Sequence, residues 1–202
     1  MGAVVASTAD ETITRTILDA VEAIERARVP YVVIGGLASS LLGRPRMTRD
    51  VDLLVKPDDA KRALEALAAA GFETEETNPK WIFKAARDEV QIDLIFWLKG
   101  DIYLDDEMLE RSRDEELGGR TVKVMPPEDL IVVKAVIHDE QTPRHWHDAL
   151  GVIADQELDW DYLHRRARHG VRRVLALLLY AQSNDLVVPD EAIRGLYETL
   201  YG

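Results

Sequence analysis

The chain of 202 residues contains no cysteine. Disulfides, zinc–thiolate centres and thiol catalysis are therefore excluded. No stretch approaches the roughly 18 consecutive apolar residues that a membrane-spanning helix needs. The opening MGAVVASTADET carries no basic segment ahead of an apolar one, which argues against a secretory signal and makes the cytoplasm the expected location. Basic residues are scarce beside acidic ones, 25 Lys and Arg against 37 Asp and Glu, giving a formal charge of −12. That balance argues against broad, non-specific binding to nucleic acid, which needs many phosphate contacts. It leaves room for a local basic groove. What is present in quantity is apolar surface: at 47% hydrophobic composition the chain buries a real core, as one large domain or two small ones.

The first 125 residues mix both kinds of periodicity. Residues 10–28 place Ile13, Ile17, Ala20, Val21 and Ile24 at helical spacing. Tyr31 to Ile34 is a short apolar run that predicts a buried strand, ended by Gly35-Gly36, and residues 37–42 predict a short helix. Thr48 to Val55 predicts a second strand, and Pro57-Asp58 opens a helix that ends before Gly71. Residues 80–86 and 90–97 are strand-like and joined at Arg87-Asp88-Glu89, an antiparallel hairpin. One more strand is expected at 121–125, and the acidic stretch 105–116 is expected as an exposed helix or loop. Beyond Pro126-Pro127 the pattern is helical throughout, at about 127–139, 144–155, 159–169, 171–183 and 189–201. The expectation is an α+β fold: a small mixed β-sheet core with an N-terminal helix over residues 1–125, then a C-terminal helical bundle over 126–202, with a cleft between.

Three short segments carry candidate chemistry. In Thr48-Arg49-Asp50-Val51-Asp52-Leu53, strand alternation puts Asp50 and Asp52 on one face and Val51 and Leu53 on the other. Two adjacent carboxylates repel unless a positive charge sits between them, and a hard divalent cation is the natural partner. Two surface aspartates on a solvated edge strand is the plain alternative. In Gln91-Ile92-Asp93-Leu94 an aspartate sits in a strand that otherwise looks core-bound, and buried carboxylates are rare unless paired or metal-bound. If the two strands are neighbours, three carboxylates meet, an arrangement able to hold two Mg²⁺ ions for in-line phosphoryl displacement. In Ile34-Gly35-Gly36-Leu37-Ala38-Ser39-Ser40, a strand, two glycines and a helix start leave backbone N–H groups open to a phosphate, and Ser39 or Ser40 offers a hydroxyl.

In this order the segments resemble the nucleotidyltransferase superfamily typified by DNA polymerase β, over about residues 30–97. The resemblance implies that Gly35, Gly36 and a nearby serine, here Ser39, contact the triphosphate. It implies two Mg²⁺ (or Mn²⁺) ions held by Asp50, Asp52 and Asp93, with Asp93 also accepting the proton of an acceptor hydroxyl. The stretch Arg44 to Asp52 further resembles the AbiEii-type toxin enzymes, which carry an Arg-x-Thr before the acid pair, as Arg46 and Thr48 do here. By the same resemblance Lys134, on a following helix, neutralises charge on the triphosphate, and Arg144 and Asp148 match a later basic-then-acidic pair. On residue type alone Lys134 also fits an exposed position on an amphipathic helix.

The function implied is transfer of a nucleoside monophosphate from an NTP to an acceptor hydroxyl, with release of pyrophosphate. The acceptor is tRNA if the toxin resemblance holds; a small hydroxylated molecule suits the acidic charge better, and a protein hydroxyl comes third. A non-catalytic antitoxin-like module is the alternative class, and an antitoxin protein is an expected partner of a toxin. His138, His145 and His147 read as structural rather than metal-binding. Residues 164–173, HRRARHGVRR, form the one dense basic cluster. It is either a solvated helix face or a guide for an RNA backbone, with Arg165, Arg168 and Arg172 at helical spacing.

Overall fold

A computed structural model describes residues 8–45, 48 and 50–202. In chain order the elements are α1 (Thr8–Arg26), β1 (Tyr31–Ile34), α2 (Gly35–Leu42), β2 (Asp50–Val55), α3 (Ala60–Ala69), β3 (Glu73–Asn78), β4 (Ile82–Arg87) and β5 (Val90–Ile95). There follow α4 (Asp106–Glu110), β6 (Arg113–Leu117), β7 (Arg120–Val124), α5 (Pro127–Ile137), α6 (Arg144–Asp155), α7 (Trp160–Arg166), α8 (Val171–Ser183) and α9 (Asp190–Tyr201). The chain divides into two compact units. The first comprises Met1–Ile34, Thr48–Trp97 and Tyr103–Val124; the second comprises Gly35–Met47, Leu98–Ile102 and Met125–Gly202. The short helix after Gly35 and the segment 98–102, both inside the span 1–125 expected for the core, thus group with the helices.

The first unit is built on a seven-stranded mixed sheet in the order β3-β4-β5-β2-β1-β7-β6. The strands in its middle are the ones the apolar pattern marks. All four residues of β1 are buried, as a strand needs when it lies between neighbours and is covered on both faces. β2 runs antiparallel to β1 and parallel to β5. β4 and β5 form the expected hairpin, closed by Asp88 and Glu89, both at positive φ (50° and 63°). Two successive left-handed residues are the signature of the tight turn whose twist matches paired strands.

Two strands fall where no strand is expected, β3 and β6, and they are the two ends of the sheet. β3 reads Glu-Thr-Glu-Glu-Thr-Asn and is exposed along nearly its whole length. β6 reads Arg-Asp-Glu-Glu-Leu. A charged edge strand gains its backbone partners without burying side chains, so it carries no alternating apolar signal. The acidic stretch 105–116 accordingly resolves into α4 followed by most of β6.

In the second unit α5 is buried from Pro127 through Val136, which makes it the central helix, packed by α6, α7, α8 and α2. A Cβ added at Gly43 would stand 2.9 Å from the backbone of Gly151 and Val152, so the end of α2 meets α6 backbone to backbone. The helix expected over 159–169 instead stops at Arg166 and passes into a 3-10 turn at Ala167–His169, and the next helix begins after Gly170 as expected. This break separates the basic cluster into three pieces. Arg166 is 1% exposed; its Nε donates to Asp129 Oδ1, while Tyr162 donates its hydroxyl to Asp129 Oδ2. One charge in the cluster's middle is therefore held in a structural ion pair. No helix among the described residues is long and apolar enough to cross a membrane.

Candidate active site

Register aligns the acidic residues of the sheet. Asp50 pairs with Gln91 and Asp52 with Asp93 across the parallel β2–β5 ladder. Directly paired residues present their side chains on the same face. The Asp52–Asp93 pair continues on one side to Ile34, the last residue of β1, and on the other to Lys84 of β4 and Glu75 of β3. A transverse row, Ile34–Asp52–Asp93–Lys84–Glu75, thus crosses five strands. Val51, Leu53 and Leu54 of β2 are fully buried, whereas Asp52 is half-buried and Asp50 exposed.

Asp93 is held from two directions. Lys84 Nζ lies 3.2 Å from its Oδ1 and 3.4 Å from its Oδ2, and Gln91 Nε2 donates to Oδ1 at 2.8 Å. The Asp93 side chain is 15% exposed and that of Lys84 34%, so the pair is shielded without being dry. Among the described residues no three His, Asp or Glu side chains are gathered tightly enough to form a ready-made ion site. What the row offers is an oxygen-only donor set on one face of two adjacent strands, with a cation already drawn to it. That chemistry suits a hard divalent ion. Thr48 turns its hydroxyl onto the carbonyl of Asp50 at 2.8 Å, bracing the start of β2. Arg46 lies outside the described residues.

The remaining expected residues belong to the second unit. Gly35 opens α2 at φ +65°, a conformation open to glycine and costly for most other residues. Ser39, 3% exposed, donates its hydroxyl to the Gly35 carbonyl at 2.8 Å, one turn back along the helix. Lys134 is no surface lysine. Its Nζ lies 2.8 Å from Asp148 Oδ2, and the two side chains are 3% and 5% exposed. Arg144, expected to precede Asp148 as a basic partner, is exposed at the start of α6. Burial, the positive charge of Lys134 and that of His138 depress the pKa of His145, against the opposing pull of Asp148 and Asp139. His138 stacks on Trp146 with centroids 4.6 Å apart, and Arg44 lies 2.8 Å from His147 Nε2. His138, by ring stacking, and His147 are thus engaged with neighbours on the protein.

Sequence reading missed Lys84 and Gln91. A signal for them exists. A two-residue turn at Asp88-Glu89 pairs Arg87 with Val90 and, three steps back, Lys84 with Asp93. Treating Arg87 as part of the turn leaves that register undefined.

The family described as "Nucleotidyl transferase of unknown function (DUF2204)" matches residues 13–169, a span that includes every carboxylate of the row and the Lys134–Asp148 pair. The chain belongs to this family. The nucleotidyltransferase is also similar in fold to solved structures. One is the antibiotic-resistance factor ANT(2'')-Ia, with a TM-score of 0.55 and 19% identity over 87% of this chain and 94% of that one. A second is an antigenic nucleotidyltransferase-like protein from Paracoccidioides brasiliensis, with a TM-score of 0.56 and 16% identity over 92% and 93% of the two chains. A third is the lincosamide antibiotic adenylyltransferase LnuA, bound to lincomycin, with a TM-score of 0.51 and 14% identity over 72% and 98%. At these identities the likeness is one of fold. No curated protein matches the nucleotidyltransferase in sequence.

Proposed function

We propose that this enzyme transfers a nucleoside monophosphate from an NTP to an acceptor hydroxyl, releasing pyrophosphate. The observation that carries the reading is the register match of Asp52 with Asp93 on adjacent parallel strands, within a chain of a nucleotidyl transferase family. Asp50, Asp52 and Asp93 would hold Mg²⁺ or Mn²⁺, and the ions would supply charge stabilisation on the attacking and leaving oxygens. Asp93 accepts the proton of the acceptor hydroxyl, its orientation fixed by Gln91. The Gly35-Gly36 backbone and Arg46 bind the triphosphate, with Ser39 bracing Gly35 and Thr48 bracing the start of β2. Lys134 neutralises phosphate charge, and Asp148 keeps the ammonium in place.

Of the acceptors considered, a small hydroxylated molecule is favoured over tRNA. An RNA backbone needs a continuous basic track. Here the densest basic segment is interrupted at Gly170, Arg166 is buried against Asp129, and Arg173 is spent on the carbonyl of His138. The net charge of −12 points the same way. The second reading is an AbiEii-type toxin acting on tRNA, paired with an antitoxin. The test is incubation of the protein with each labelled NTP and Mg²⁺, in parallel with aminoglycosides, lincosamides and total tRNA. Label appearing on a small acceptor, and lost in Asp52→Asn by at least several orders of magnitude with the fold intact, is the expected result. Label on tRNA alone would overturn the acceptor, and an active Asp52→Asn variant would overturn the site.

A further inference from the structure

Lys84 is absent from every role assigned above except that of a neighbour, yet its position is unusual. A lysine on a strand ordinarily extends its ammonium into water. This one lies in the same transverse row as Asp52 and Asp93, and its ammonium spans both oxygens of Asp93, at 3.2 and 3.4 Å. Among the described residues no other Lys or Arg is placed by register in the row. Glu75, the next residue of the row, lies on the far side of Lys84, so carboxylates flank the lysine on both neighbouring strands. The side chain is one-third exposed, so its four-carbon stem has room to swing without disturbing the core.

We propose that Lys84 is a tethered counter-cation of the carboxylate row, competing with the divalent ion for Asp93 and so setting the metal concentration at which the site fills. The inference rests on the reading of Asp50, Asp52 and Asp93 as metal ligands. Its physical basis is that two carboxylates in one row need positive charge nearby. Lys84 supplies one unit of it and repels a second cation from the same oxygens. Removing the ammonium while keeping the stem raises the site's affinity for a divalent ion. Keeping the charge on a different head group leaves the affinity nearly unchanged. Lys84 is a positioning residue here, acting through Asp93.

The experiment measures Mn²⁺ binding by the loss of the free-ion paramagnetic resonance signal beyond that caused by a non-hydrolysable NTP analogue alone, with the full chain and that analogue. Wild type, Lys84→Met, Lys84→Arg and Asp52→Asn are compared. Lys84→Met is expected to bind Mn²⁺ roughly tenfold more tightly, the order for one unit charge within a few ångströms of a divalent ion in a largely solvated site. Lys84→Arg is expected to stay within about twofold of wild type, and circular dichroism should show all four folded alike. If Lys84→Met binds Mn²⁺ no more tightly than wild type while Asp52→Asn loses binding, the counter-cation inference fails and the metal site stands. If Asp52→Asn binds as wild type does, or no form binds Mn²⁺, the metal-site reading fails and the inference goes with it.

Discussion

The buried pair Lys134–Asp148 permits a test in which stability and chemistry separate. Substituting Lys134→Met keeps most of the side-chain volume and removes the ammonium that sits 2.8 Å from Asp148 Oδ2. The carboxylate left behind has 5% of its side chain exposed, so water cannot replace the lost partner. Leaving one member of a buried pair uncompensated costs about 3–5 kcal/mol. For a chain of this length each kcal/mol lowers Tm by about 2–4 °C, so a fall of about 10 °C is expected in a thermal melt. In the double variant Lys134→Met/Asp148→Leu neither charge of the pair remains, and replacing such pairs by apolar residues is often neutral. Most of the lost Tm should return. Turnover should not, because the charge proposed to face the triphosphate is still missing. A single variant that melts within about 2 °C of wild type would refute the argument from burial. A double variant with full stability and full transfer activity would show that the pair is purely structural.

Two further outcomes follow from the second unit. Gly43→Ala should lower stability by about 1–3 kcal/mol, read from denaturant unfolding, because its Cβ would meet the backbone of Gly151 and Val152 at 2.9 Å; an unchanged midpoint would mean that α2 and α6 do not approach so closely. His145 has a folded-state pKa below its ordinary value near 6.5, chiefly through burial, so below that value the unfolded chain binds more protons than the folded one. The stability is fully present above pH 6.5 and is lost as pH falls through the folded value; His145→Gln should flatten the fall in Tm between pH 7.5 and 5.5, and equal slopes would contradict the shift.

The amino-acid sequence determined the elements whose burial writes a period into it. The alternation of Asp50-Val51-Asp52-Leu53 and the apolar frame around Asp93 mark the central strands and say which side chains leave the core. The helical spacing after Pro127 marks the bundle, and α8 begins and ends where that spacing places it. Glycine and the acid pair, being local features, are legible without any partner strand. The edge strands β3 and β6 were hidden, since their residues meet water whether they pair or not. Tertiary structure decided three other matters. It brought Lys84 beside Asp93, a pairing the sequence signals only once Asp88 and Glu89 are taken as the two left-handed residues of the turn. It buried Lys134 against Asp148, because an isolated Lys or Asp codon carries no information about a partner on the next helix. It also sank Arg166, in the middle of the basic cluster, onto Asp129, since helical spacing shows which residues share a face and not what the face is packed against.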